Sequence, residues 1–144
     1  MRWLTHLGGA RFTLGIGLAL VAVGQPRLGL AALLANTGSH LVVQILKRAV
    51  ARARPCDASG TPLALVDLPD PHSFPSGHAA AATAVAATVA LAHPLTAPFV
   101  LPLAGLVAYS RVALRVHHLS DVVAGVALGL GGAVAAVKVL GPGG

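Results

Sequence analysis

Five apolar stretches separated by short breaks fill most of the 144 residues, and they restrict the possible fold more than any other feature. Only 10% of residues are charged and 56% are hydrophobic, with a mean hydropathy of +0.80; an average soluble domain carries roughly 25% charged residues. So little charge cannot cover a water-facing surface. A helical bundle in a bilayer can, because each helix satisfies its own backbone groups. The fold class read from the sequence is therefore all-α, a transmembrane bundle of about five helices forming a single domain over residues 1–144. Aromatic residues make up 3% of the chain while Ala, Val, Leu and Gly dominate, which favours close packing through small side chains.

A bilayer crossing takes about 20 residues of helix. The run from Phe12 to Gly24 is short of that, so its helix is expected to begin near Leu7 or to lie where the bilayer thins. It ends at Gly24-Gln25-Pro26 without the small-x-small pattern of a cleaved leader, and reads as a retained anchor. Leu28–Leu46 is long enough to cross. Asn36, Thr37, Ser39, His40 and Gln44 interrupt it, and these are expected to face other helices rather than lipid. It ends in Lys47, Arg48, Arg52 and Arg54, with Pro55 as the stop. Residues 56–74 form a hydrophilic loop with Pro and Asp and no sustained period. Further helices are expected over about Ser76–His93, Leu95–Leu114 and Asp121–Leu140, before a Gly-Pro-Gly-Gly tail that cannot extend the last one.

In this layout the ends of helices two and four and the starts of helices three and five meet at one face. All four acidic residues, Asp57, Asp67, Asp70 and Asp121, fall there too. The net charge of +6 lacks the basic stripe with interleaved aromatics that nucleic-acid binding calls for, so no nucleic-acid partner is expected. A membrane surface or a phosphate fits better. The lone Cys56 can form no internal disulfide.

Three segments carry the chemistry. The first is Lys47 to Arg54-Pro55, and the second is Pro75-Ser76-Gly77-His78. In the third, Ser110-Arg111 is followed after five residues by His117 and after three more by Asp121. Together, in order and each at a helix border, they resemble the signature of the type 2 phosphatidic acid phosphatase (PAP2) superfamily. That superfamily includes lipid phosphatases, bacterial acid phosphatases and vanadium haloperoxidases. The resemblance covers residues 47 to about 125.

The residue chemistry agrees with it. A phosphate monoester carries up to two negative charges, and the forks of Arg54 and Arg111 with the Lys47 ammonium offer charge-assisted donors. Taken alone, Lys47 and Arg54 would read as a juxtamembrane basic cluster; the later motifs overturn that. Ser76 is placed to cap a helix whose first amides point outward, and Gly77 lets backbone approach an anion closely. The resemblance assigns His117 as the nucleophile that becomes phosphohistidine, Asp121 as acceptor of its other ring proton, and His78 as general acid for the leaving group.

Two histidines and one aspartate without a third imidazole or thiolate at suitable spacing, beside arginines that repel cations, make a poor zinc site; no metal and no cofactor are expected. Arg48, Arg52 and Arg115 match no family position and read as a solvated juxtamembrane basic cluster or as contacts to anionic lipid headgroups. His118, Arg115 and Leu119 stand where the family commonly has an aromatic residue, a glycine and a proline, so the pocket rim and the substrate are the features they would alter. His6, His40, His72 and His93 read as interfacial or packing histidines, with His72 notable for its nearness to Pro75-Ser76-Gly77-His78.

The resemblance implies a metal-independent phosphatase in the cell membrane, acting on the terminal phosphate of a polyprenyl phosphate derivative, a polyprenyl diphosphate or a phosphatidate-like lipid. Selectivity is expected from the groove between helices and from the 56–74 loop. A haloperoxidase-like oxidoreductase and a non-catalytic five-helix scaffold are the competing readings. Family habit places the active site on the extracytoplasmic side, whereas Arg2, Arg11, Arg48, Arg52 and Arg115 on that face, against Arg27 and Lys138 opposite, place it in the cytoplasm by the positive-inside rule.

Overall fold

The computed structural model describes residues 7–66 and 70–141. Its helices are α1 (Ala10–Ala22), α2 (Pro26–Val50), α3 (Gly77–Ala92), α4 (Ala97–Ala113, entered through a 3-10 turn at Pro94–Thr96) and α5 (Leu119–Leu140). Among the described residues the only extended pairing is two single antiparallel bridges, Ala53 with His72 and Cys56 with Pro62. The all-α five-helix expectation holds. Three helical stretches, Pro26–Val50, Pro94–Ala113 and Leu119–Leu140, are long and apolar enough to cross a membrane.

The two shorter helices differ in kind. α1 begins at Ala10 rather than near Leu7 and has 13 residues, about 20 Å at 1.5 Å per residue. α3 has 16 residues, and its run from Ala79 to Thr88 is buried throughout. A helix that is apolar all round belongs in an interior, and α3 packs against α2, α4 and α5.

Boundaries moved where charge and caps intervene. α2 runs through Lys47 and Arg48 to Val50 and ends at Ala51, which is left-handed (φ 48°, ψ 36°); Pro55 is not the stop. Cations in a last turn suit the negative end of the helix dipole. α5 starts before Asp121, with His118 as N-cap and Asp121 at the third position completing a capping box.

Small residues set the helix spacing. On α5, Gly125 and Gly129 lie one turn apart against the backbone of α3. A Cβ at Gly129 would stand 2.5 Å from the Ala80 carbonyl oxygen and 2.8 Å from Thr83 Cβ, so only glycine allows this approach. Further along, Ala31 and Ala35 of α2, Ala84 and Ala87 of α3, and Ala133 and Ala136 of α5 form one buried cluster. The seam brings the start of α3 against the start of α5, where the Ser76 amide donates to the Asp121 carbonyl at 2.9 Å. α1 is tied to α2 by the buried Asn36 side-chain amide, which donates to Thr13 Oγ1 at 3.1 Å.

Candidate active site

The ends of α2 and α4 and the starts of α3 and α5 meet at one end of the bundle, as the layout read from the sequence requires. Lys47, in the last turn of α2, is buried and donates from Nζ to both oxygens of Asp70 (2.9 and 3.1 Å) and to the His72 carbonyl (2.8 Å). Arg54, also buried, lies beyond the helix end. It donates from Nε to the Asp70 carbonyl (2.9 Å), from Nη2 to Asp70 Oδ1 (3.2 Å) and from Nη1 to the Val116 carbonyl (2.8 Å). One guanidinium thus ties the loop before α3 to the turn after α4. Arg111 is buried in the last turn of α4.

That turn carries His117. The Val116 and His117 amides both donate to the Arg111 carbonyl (3.2 and 3.3 Å), and Arg115 is left-handed at φ 55°, a conformation glycine adopts without steric cost. The His117 side chain is 3% exposed, and its Nδ1 stands 3.6 Å from Asp121 Oδ2, longer than an ordinary hydrogen bond. Burial, then the charges of Arg54, Arg111 and Lys47, lower the imidazole pKa to about 3, outweighing the opposing pull of Asp121. The ring is a neutral base at physiological pH.

Ser76 and Asp121 are fully buried. Ser76 Oγ accepts from the Ala79 amide at 3.4 Å as the α3 cap, and Gly77 has room around it, with Val43 Cγ1 3.7 Å from where a Cβ would be. His78 opens the first turn of α3. Lys47, Arg54, Gly77, His78, Arg111 and His117 all line one cavity of about 690 Å3; Ser76 and Asp121 are not in its lining. Among the described residues, no group of three or more His, Cys, Asp or Glu side chains has the grouping of a metal ligand set.

Three residues were not singled out by the sequence for what they do here. Asp70 pairs with both Lys47 and Arg54; burial raises its pKa, but the hydrogen bond and charge of Lys47 and the charge of Arg54 outweigh this and hold it below the usual carboxylate value. Arg52, read as a solvated cation or a lipid contact, instead donates to Asp121 Oδ1 at 2.8 Å and to Ser120 Oγ at 2.7 Å. The reason is local: residues two apart in an extended segment share a side, so Arg52 and Arg54 both turn toward the bundle. His118 donates its amide to Asp121 Oδ2 at 2.8 Å, with its Nδ1 3.3 Å from the same oxygen. His72 takes part through its backbone, as acceptor for Lys47 and bridge partner of Ala53. Arg48 and Arg115 are exposed. His6 and Asp67 lie outside the described residues.

A cationic, histidine-bearing cavity at one end of an apolar helical bundle defines a membrane protein that handles anionic groups, and comparison with known proteins narrows this. Residues 28–142 match the model of the PAP2 superfamily. The chain is 39% identical over 134 residues to decaprenylphosphoryl-5-phosphoribose phosphatase of Mycobacterium tuberculosis, in strains CDC 1551 / Oshkosh and ATCC 25618 / H37Rv; the match spans 89% of this chain and 72% of the relative. Among solved structures it resembles the transmembrane PAP2 type phosphatidylglycerolphosphate phosphatase of Bacillus subtilis, with TM-score 0.79 and 29% identity over 96% of this chain and 73% of that one. Aquifex aeolicus LpxE shares the fold, with TM-score 0.81 at 24% identity over 95% of this chain and 82% of that one. The chain belongs to the PAP2 superfamily. It is a membrane lipid phosphatase, which removes the oxidoreductase and scaffold readings.

Proposed function

We propose that this phosphatase removes the terminal phosphate monoester of a polyprenyl-linked sugar phosphate, through a phosphohistidine on His117 and without a metal. The observation that carries this reading is a neutral, almost fully buried imidazole lining the same cavity as three cations, with a carboxylate beside its Nδ1. The substrate class follows the mycobacterial relative, whose name specifies a polyprenyl-linked sugar phosphate.

With the Nδ1 proton directed at Asp121, Nε2 holds the free lone pair. Lys47, Arg54 and Arg111 take the phosphoryl oxygens together with the backbone at Gly77, while Ser76, buried behind the lining, caps the helix that presents it. Nε2 attacks phosphorus, the bond from phosphorus to the leaving alcohol breaks, and His78 gives that oxygen its proton. A water then attacks the phosphohistidine, surrenders a proton to His78, and the P–N bond breaks to release inorganic phosphate. Asp70 holds Lys47 and Arg54 in register between turnovers. The cationic cluster would repel a divalent metal.

Arg52 is occupied by Asp121 and Arg2 lies outside the described residues, so the charge bias now rests on Arg11, Arg48 and Arg115 against Arg27 and Lys138. It still favours a cytoplasmic site, and a C-terminal reporter found in the cytoplasm would exclude that orientation.

The function is tested by phosphate release from a panel of lipid phosphates in detergent. Wild type should turn over, vanadate should inhibit as a phosphate mimic, a chelator should have no effect, and His117→Ala should be inactive while eluting as folded protein. Turnover that survives His117→Ala, or that a chelator abolishes, would overturn the reading.

A further inference from the structure

The cavity extends well beyond its cationic end. At about 690 Å3 it falls in the range of pockets that enclose a whole ligand, roughly 300–1,000 Å3. From Lys47 it continues along α2 past Gln44, His40 and Thr37, with Leu14 of α1 and Leu41 of α2 also in the lining. Positions 37, 40, 44 and 47 are three or four residues apart and so share one helix face. At 1.5 Å per residue, Gln44 lies about 5 Å and His40 about 10 Å along the axis from Lys47.

These polar groups lie in the Pro26–Val50 stretch, which is apolar enough to cross a membrane. Of the five expected to face other helices, Asn36 and Ser39 are buried, while His40 and Thr37 are exposed and Gln44 is half-buried. Thr37 satisfies its hydroxyl on the Leu33 carbonyl at 2.7 Å. His40 and Gln44 have, among the described residues, one side-chain hydrogen bond, to each other at 3.2 Å. A glutamine amide and an imidazole have further capacity, and polar side chains at membrane depth characteristically mark a substrate path.

We propose that His40 and Gln44 form a headgroup subsite, which binds the hydrogen-bonding spacer between the cleaved phosphate and the lipid tail. This deepens the function proposed above and rests on it. With the terminal phosphate among Lys47, Arg54 and Arg111, sugar hydroxyls reach Gln44 and a phosphodiester reaches His40, while the hydrocarbon begins along Leu14 and Leu41. A phosphatidate or a polyprenyl diphosphate places no sugar at that depth and leaves both side chains without a ligand partner. A site built to hydrogen-bond a polar substrate group rejects analogues that lack it.

The test compares kcat/KM for three substrates in the same micelles: a polyprenylphosphoryl pentose 5-phosphate, a polyprenyl diphosphate and phosphatidate. The enzymes are wild type, His40→Leu, Gln44→Leu and the double variant. Leucine suits a membrane helix, so folding should survive, and elution in detergent checks it. Wild type should prefer the sugar-spaced substrate by at least about tenfold. The double variant should lose about 10- to 100-fold on that substrate, mainly through KM, and less than about threefold on the other two. A uniform loss across substrates, or none, overturns the subsite. Wild-type turnover of phosphatidate or diphosphate without preference for the spacer overturns it while leaving the phosphatase mechanism standing; turnover of none of the three removes the proposed function as well.

Discussion

The two ends of the bundle are built differently. At the cavity end, segments far apart in sequence are fastened by side chains: Arg54 to residues 70 and 116, Arg52 to Asp121, and Lys47 to residues 70 and 72. At the far end, short turns join α1 to α2 and α3 to α4, and His93 Nε2 meets Gln25 Oε1 at 3.2 Å between those turns, exposed. Leu95 and Phe99 stand there 91% and 77% exposed. Covalent connection suffices where neighbours in sequence are neighbours in space. Where cations from segments far apart in sequence line one cavity, charge is buried, and it is tolerable only when paired.

Wedging the glycine seam should break the cavity end most severely. Gly129→Leu drives a side chain into the Ala80 backbone, so activity should fall more than about 100-fold and detergent Tm should drop, as overpacking costs about 1–3 kcal/mol. Retained activity would show that the seam does not set the site. Arg52→Ala comes next, because it frees Asp121 from its external partner. A charge-assisted hydrogen bond is worth about 1.5–3 kcal/mol, about 10- to 100-fold in rate; on the proposed role of Asp121, kcat should fall by that much with KM little changed, and Arg52→Lys should recover part of it. A loss confined to KM would instead mark Arg52 as a lipid contact, its sequence-based role.

The third prediction concerns pH. The folded pKa of His117 lies below its unfolded value of about 6.5. Its contribution to stability is therefore complete above pH 6.5 and is lost as pH falls toward 3, while the folded ring stays neutral. In 15N NMR of histidine-labelled protein, the signal removed by His117→Ala should still report a neutral ring at pH 5; a midpoint near 6.5 would contradict the buried cationic surroundings. The smallest effect belongs to the far end. His93→Ala should change phosphate release less than about twofold and stability by no more than about 0.5 kcal/mol, and a larger loss of activity would erase the contrast between the ends.

The sequence made the architecture legible because apolar length and helix-breaking residues are local signals. Lys47, Arg54, Ser76, Gly77, His78, Arg111, His117 and Asp121 were legible as motif positions, and the structure gathers them at one end. Asp70 was not, because an irregular loop returns it to Lys47 across 23 residues and no period predicts that. Arg52 was not legible either: the sequence placed it with Arg54 in a helix end, where residues two apart point to different sides, and its partner comes from α5, 69 residues away. His40 and Gln44 were visible as polar interruptions of an apolar helix. What they face depends on the gap between α1 and α2, which only three-dimensional packing reveals.

The central claim is that His117 takes the phosphoryl group. Incubation with a substrate carrying 32P in its terminal phosphate, quenched in alkaline detergent to preserve phosphohistidine and followed by peptide mapping, tests it directly. The account predicts label on the peptide holding His117 in wild type, none in His117→Ala and less in Asp121→Asn. Turnover by wild type with no label on His117 under rapid quench, together with inversion of configuration at a chiral phosphorus, would contradict it.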